Sequence, residues 1–181
     1  EQMSCMQAEA FYLHLDASSQ PALVTPAKNT FMSIVRVCVN DSTEVLAALD
    51  TCSSSTFATQ SLVDQLGIRA EPHSFQLSTL HGESSVHSSL ITLTRSAVVD
   101  PSERVKLTGI KVVDSIPVSS GEVAGDFKHL QGINLSFSNQ VDLLIGQDNA
   151  DLLIPLEVKH GNPKEPYEVR YKFGWGIHGS E

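Results

Sequence analysis

The segment Val45–Phe57, VLAALDTCSSSTF, constrains this chain most. An apolar run delivers a single carboxylate, Asp50, into a loop of small polar residues, Thr51-Cys52-Ser53-Ser54-Ser55. The run reads as a strand, the polar residues as a turn, and the apolar positions after it as a helix. A carboxylate fixed at a strand end, in a turn whose backbone N–H groups face it, is held in its charged form. The Ser53 hydroxyl is a further candidate donor to it. Taken alone, an Asp at a strand end is more often a turn former or a helix cap. What surrounds it therefore has to decide.

Upstream, FMSIVRVCV (residues 31–39) is rich in β-branched residues and reads as a strand. Asn40-Asp41-Ser42 is a turn signal, so it forms a hairpin with residues 44–49. Downstream, a helix is expected with its cap in the Ser54–Thr56 region, apolar positions Phe57, Leu62, Val63 and Leu66, and Gly67 as its stop. Residues 74–94 read as two strands around a turn at Leu80-His81-Gly82-Glu83, and 105–113 as a third. Residues 121–140 read as loop with a helical turn. VDLLIG (141–146) reads as a buried strand, followed by a short helix that Pro155 closes. Residues 167–179 form an aromatic strand-like tail in which Phe173, Trp175 and Ile177 alternate. Residues 1–30 read as an N-terminal arm, with a short helix and a Ser/Pro/Ala-rich linker, ahead of one domain over 31–181.

Composition narrows the function classes. Twelve Lys+Arg against 21 Asp+Glu give a net charge of -9, which speaks against nucleic acid as a partner of this domain. The three cysteines, Cys5, Cys38 and Cys52, are odd in number and far apart. Neither a disulfide framework nor a zinc site is expected, and a reducing, cytoplasmic setting follows. No apolar run is long enough to span a bilayer, no signal peptide is visible, and the absent initial Met suggests a piece of something longer. No HExxH, GxSxG, GxxxxGK or GxGxxG occurs, so neither a metal nor any other cofactor is expected. A Cys52 nucleophile would need one of the seven histidines beside it, and the sequence places none there.

Asp50-Thr51-Cys52-Ser53-Ser54 resembles the active-site loop of the aspartic peptidases, Asp-Thr/Ser-Gly-Ser/Ala. VDLLIGQDNADLLIPLEV (141–158) resembles the apolar-apolar-Gly strand and following helix of retropepsins, with Leu144, Ile145 and Gly146 as its core. Together with VVDSIP (112–117) and FGWGIHG (173–179), it looks most like the retropepsin-like domain of Bel/Pao-type retrotransposon polyproteins, over residues 31–179. The resemblance implies a mostly β, closed-barrel lobe with one or two short helices. It also implies an endopeptidase in which two carboxylates face each other and share one proton.

The 181 residues are too few for two full lobes. The other candidate for the second carboxylate, Asp114, is followed by Ile116-Pro117 rather than by a small residue, Ser and a helix, and reads better as a strand-end turn. One Asp per chain implies a homodimer on a two-fold axis. Its Thr51 hydroxyls would brace the paired loops, and the 80–83 turn would serve as a flap over an extended peptide. Two departures stand out. Cys52 replaces the loop Gly, which leaves open a catalytically silent dimerisation or peptide-binding module. Gln147 stands where many relatives have an Arg paired to an Asp after the loop, and here both partners are missing. Dimer contacts would then come from elsewhere, with the 173–179 tail a candidate and core packing within one subunit the alternative.

Overall fold

The computed structural model describes residues 30–40, 43–79, 82–97, 104–118, 127–130 and 140–180. The arm assigned to residues 1–30 falls outside them except for Thr30, and so do Leu80 and His81 of the expected flap turn.

The described chain is mostly strand. β1 spans Thr30–Phe31, β2 Ile34–Val39, β3 Thr43–Leu49, β4 Phe57–Thr59, β5 Glu71–Thr79, β6 Gly82–Ala97, β7 Arg104–Val113, β8 Leu143–Ile145, β9 Glu157–Lys159, β10 Tyr167–Tyr171 and β11 Gly174–Ser180. The one α-helix among the described residues, α1, spans Gln60–Leu66, and 3-10 turns cover Lys128–Leu130 and Gln147–Leu152. The expected mostly β lobe with few short helices is what forms. No helix among the described residues is long and apolar enough to cross a membrane.

Seven strands pair in the order β2-β3-β8-β4-β7-β6-β5, and the far end of β6 bends back to pair with β2, Val37 opposite Ala97 and Val39 opposite Arg95. Six of the seven thus pair in a ring. A second sheet runs β1-β11-β10-β9.

β3 explains how the fold holds its loop. Successive side chains of a strand point to opposite faces. Val45, Ala47 and Leu49 join the main core with Val37, Leu93, Leu107, Leu143 and Ile145. Leu46 and Ala48 join a second cluster with Ile34, Ile116 and Val141. With both faces buried, β3 reads as a continuous apolar run rather than an alternating one.

Two expectations need adjustment. The helix does not begin near Ser54. Phe57–Thr59 pair instead with β7 and β8, as β4, and Thr59 caps α1 by accepting the Leu62 N–H at 3.3 Å. Gly67 ends the helix in a left-handed conformation, φ +59, as expected. The tail is a hairpin, β10–β11, rather than one strand. Its Phe173 sits in the turn and packs into the main core, and Ile177 packs with Phe31 and Leu130. Phe173 and Ile177 are thus packed within their own chain, while Trp175 stays half-buried with the Lys159 ammonium 3.9 Å from its ring centroid.

Candidate active site

Asp50 leaves β3 as that strand ends. Its own N–H donates to the Ile145 carbonyl at 3.0 Å, continuing the parallel β3–β8 ladder by one rung. Its side chain turns back into the loop, where Oδ1 accepts the Cys52 N–H at 2.8 Å. This is the backbone donor the sequence pattern called for, and it orients the carboxyl. Asp50 is half-buried and Thr51 is exposed. Cys52 is half-buried and is in no disulfide.

Ser53 behaves differently from expectation. It is buried, and its hydroxyl donates to the Ser55 carbonyl at 2.7 Å rather than to Asp50. A Ser hydroxyl two residues from a backbone partner closes a local turn, and that contact wins here over the carboxylate.

The second motif clamps the loop from below. Gly146 lies so close to it that an added Cβ would stand 2.7 Å from the Ser55 carbonyl carbon and 2.8 Å from the Ser53 oxygen. Only Gly permits this approach. The Gln147 N–H then donates to Ser53 O at 2.8 Å, and the Gln147 side-chain amide donates to Thr51 O at 2.8 Å. Gln147 is thus a loop brace made of neutral hydrogen bonds, where an Arg–Asp pair is absent.

Thr56, fully buried, closes the loop's far end. Its Oγ1 donates to Asp148 Oδ1 at 2.6 Å and accepts from the Gly146 N–H at 3.2 Å and the Asn149 amide at 2.9 Å. Its N–H donates to Asp148 Oδ2 at 2.9 Å. Sequence reasoning passed over the Thr56–Asp148 tie, since nothing local marks partners 92 residues apart.

The loop opens onto a cleft of about 700 Å³. Asp50, Thr51, Cys52 and Ser53 line it, as does Leu144. Ile145 is instead buried in the core, and Gly146 underlies the loop. The β5–β6 hairpin supplies another wall through Phe75, Gln76, Val86 and His87. Its ladder runs without interruption from Glu71–Leu90 to Thr79–Gly82, which sets Gly82 and Glu83 on β6 beside the tip. Asp114, exposed in the bend after β7, also lines the cleft, and no hydrogen bond joins it to Asp50.

A carboxylate oriented by a backbone N–H, in a cleft walled by a hairpin, is suited to activating a water against a bound peptide. A family model described as aspartyl protease matches residues 35–148, more than half of the chain. The chain belongs to the aspartyl protease family. The matched stretch contains the whole Asp50 loop and the Gly146-Gln147-Asp148 clamp of this aspartyl protease. No curated protein matches the chain.

Proposed function

We propose that this aspartyl protease is a retropepsin-like endopeptidase that works as a homodimer, with Asp50 of each chain meeting across a two-fold axis. One observation carries the reading. The structure braces a single Asp-Thr loop on a rigid double-buried strand, facing a cleft of about 700 Å³. Peptide hydrolysis by carboxylates needs two of them sharing a proton, one taking a proton from water and the other donating to the scissile carbonyl. A chain with one such loop obtains the second from another copy.

The remaining parts take their roles from that arrangement. Thr51, exposed at the loop apex, faces the partner loop. The β5–β6 hairpin, with the expected flap segment Leu80-His81-Gly82-Glu83, closes over the bound peptide, which lies extended and is held by main-chain hydrogen bonds. Ile154, Leu156 and Val158, each more than half exposed at the edge of the four-stranded sheet, offer the apolar contact a second chain would cover. The substrate is its own polyprotein, of the Bel/Pao retrotransposon type, cleaved in a cytoplasmic setting or within virus-like particles.

Asp50→Asn tests this. The variant should keep the fold and lose cleavage of extended peptides between about pH 4 and 7. Retained cleavage would end the reading. Cys52 motivates a second reading, a silent peptide-binding module, because its side chain occupies a position in the loop that suits Gly. Inert wild type alongside an active Cys52→Gly variant would favour that reading.

A further inference from the structure

Among the described residues lining the cleft, Lys111 is the only Lys or Arg. It sits on β7, whose alternation sends Ile110 and Val112 into the core and leaves Lys111 on the cleft side. Its backbone is fixed from both flanks. It stands opposite Phe57 of β4 and Leu90 of β6, and its N–H donates to Thr56 O at 3.1 Å. A central strand gives a side chain a rigid base.

The ammonium is held as well. Nζ donates to Ser55 Oγ at 2.5 Å, and lies 5.8 Å from the Phe57 ring centroid and 5.5 Å from that of Phe75. The two rings are tilted at 59° with centroids 6.1 Å apart, forming an aromatic corner under the charge. Cation–π contacts and one hydroxyl orient an ammonium without neutralising it. No carboxylate pairs with it among the described residues. The carboxyls that share the cleft are Asp50, which accepts from Cys52, and Asp114, which makes no ion pair with it. An ammonium has three donors, and one of them goes to Ser55.

We propose that Lys111 is a specificity-determining residue. It binds the side-chain carboxylate of an Asp or Glu at one position of the peptide near the scissile bond. This rests on the endopeptidase reading above and adds a substrate class to it. The net charge of -9 repels acidic peptides at long range. The preference is therefore local, confined to the one subsite where Lys111 meets the side chain. A charge-assisted hydrogen bond contributes roughly 1.5–3 kcal/mol, or about ten- to a hundredfold in kcat/KM.

The test uses fluorogenic peptides that differ only by Glu, Gln or Lys, scanned through the positions flanking the cleavage site at about pH 6, where a Glu side chain is ionised. At one position wild type should cleave the Glu peptide about tenfold or more faster than the Gln peptide. Lys111→Arg should keep that ratio, Lys111→Met should bring it to about one, and Lys111→Glu should turn it toward Lys. Peptides with free and amidated C-termini separate a side-chain carboxylate from a terminal one. A preference that follows the free terminus overturns the proposal. So does a Glu/Gln ratio near one at every position, or a ratio unmoved in Lys111→Met. The same peptides are bound to the Asp50→Asn protein by fluorescence anisotropy. Cleavage without an acidic preference sinks the Lys111 role alone. Failure both to cleave and to bind sinks the endopeptidase reading with it. Binding without cleavage, still selective for Glu through Lys111, upholds the subsite on its own.

Discussion

Replacing Gly146 with Ala should damage the loop more than its one carbon suggests. The new methyl would stand 2.7 Å from the Ser55 carbonyl carbon and 2.8 Å from the Ser53 oxygen. Both are backbone atoms, in a loop already tied by Ser53 Oγ to Ser55 O and by Gln147 N–H to Ser53 O. Two responses are open. The methyl is forced in, at about 1–3 kcal/mol for overpacking. Otherwise the loop lifts, and the Gln147–Ser53 and Gly146–Thr56 hydrogen bonds break at about 1 kcal/mol each. Either way the loss is about 1–3 kcal/mol. Against a typical 5–15 kcal/mol stability that is a substantial part, and it corresponds to a melting point lower by roughly 2–12 °C. Gly67→Ala is the control. Gly67 also needs its Gly, at φ +59, but nothing lies within 4 Å of an added Cβ, so only a left-handed strain of about 1 kcal/mol is expected. Urea titration of both variants checks the difference. A Gly146→Ala loss no larger than that of Gly67→Ala would refute the claim that β8 clamps the active loop by close approach.

Thr56→Val keeps the shape but removes the hydroxyl that serves Asp148, Gly146 and Asn149, and should cost about 2–4 kcal/mol in urea titration. His178 accepts or donates to Ser33 Oγ at 2.6 Å and Tyr171 OH at 2.7 Å, and burial holds its pKa below the ordinary 6.5. The fold favours its neutral form, so its contribution is present above 6.5 and is lost as pH falls through the folded value. Melting points should drop between about pH 7 and 5, and His178→Gln should flatten that slope. Glu168, 1% exposed, has the opposite sign. Burial raises its pKa despite Lys159 at 3.5 Å, and no hydrogen bond reaches its Oε2. Its contribution is therefore present below 4.5 and lost as pH rises through the folded value. Glu168→Gln should raise the neutral-pH melting point, by up to about 2 kcal/mol in stability.

The parts of the fold legible in the sequence are those written in local pattern. The β2–β3 hairpin, the Asp50 turn, the long β5–β6 hairpin and the short β8 strand follow from apolar runs and turn residues. What escaped notice depends on partners far along the chain. Phe57–Thr59 became a strand rather than a first helical turn because β7 and β8 offer their edges there. β9 was invisible because Glu157–Lys159 is exposed and acquires its pairing only from β10. At the site, Asp50 and Gly146 were legible from their motifs. The Thr56–Asp148 tie and the aromatic corner around Lys111 were not, since a Thr and a Lys carry no signal until the topology brings their neighbours to them. In the sequence Gln147 reads only as a missing charge, because its role as a brace rests on its two bonds into a loop up to 96 positions earlier.

The central claim is that two chains share one site built from two Asp50 carboxyls. Titrating the wild-type protein with a statine-type peptide inhibitor in a calorimeter tests it most directly, because a hydroxyl mimicking the tetrahedral intermediate needs both carboxyls at once. Saturation is expected at one inhibitor per two chains, with no binding to Asp50→Asn. Saturation at one inhibitor per chain, or undiminished binding to Asp50→Asn, would contradict it.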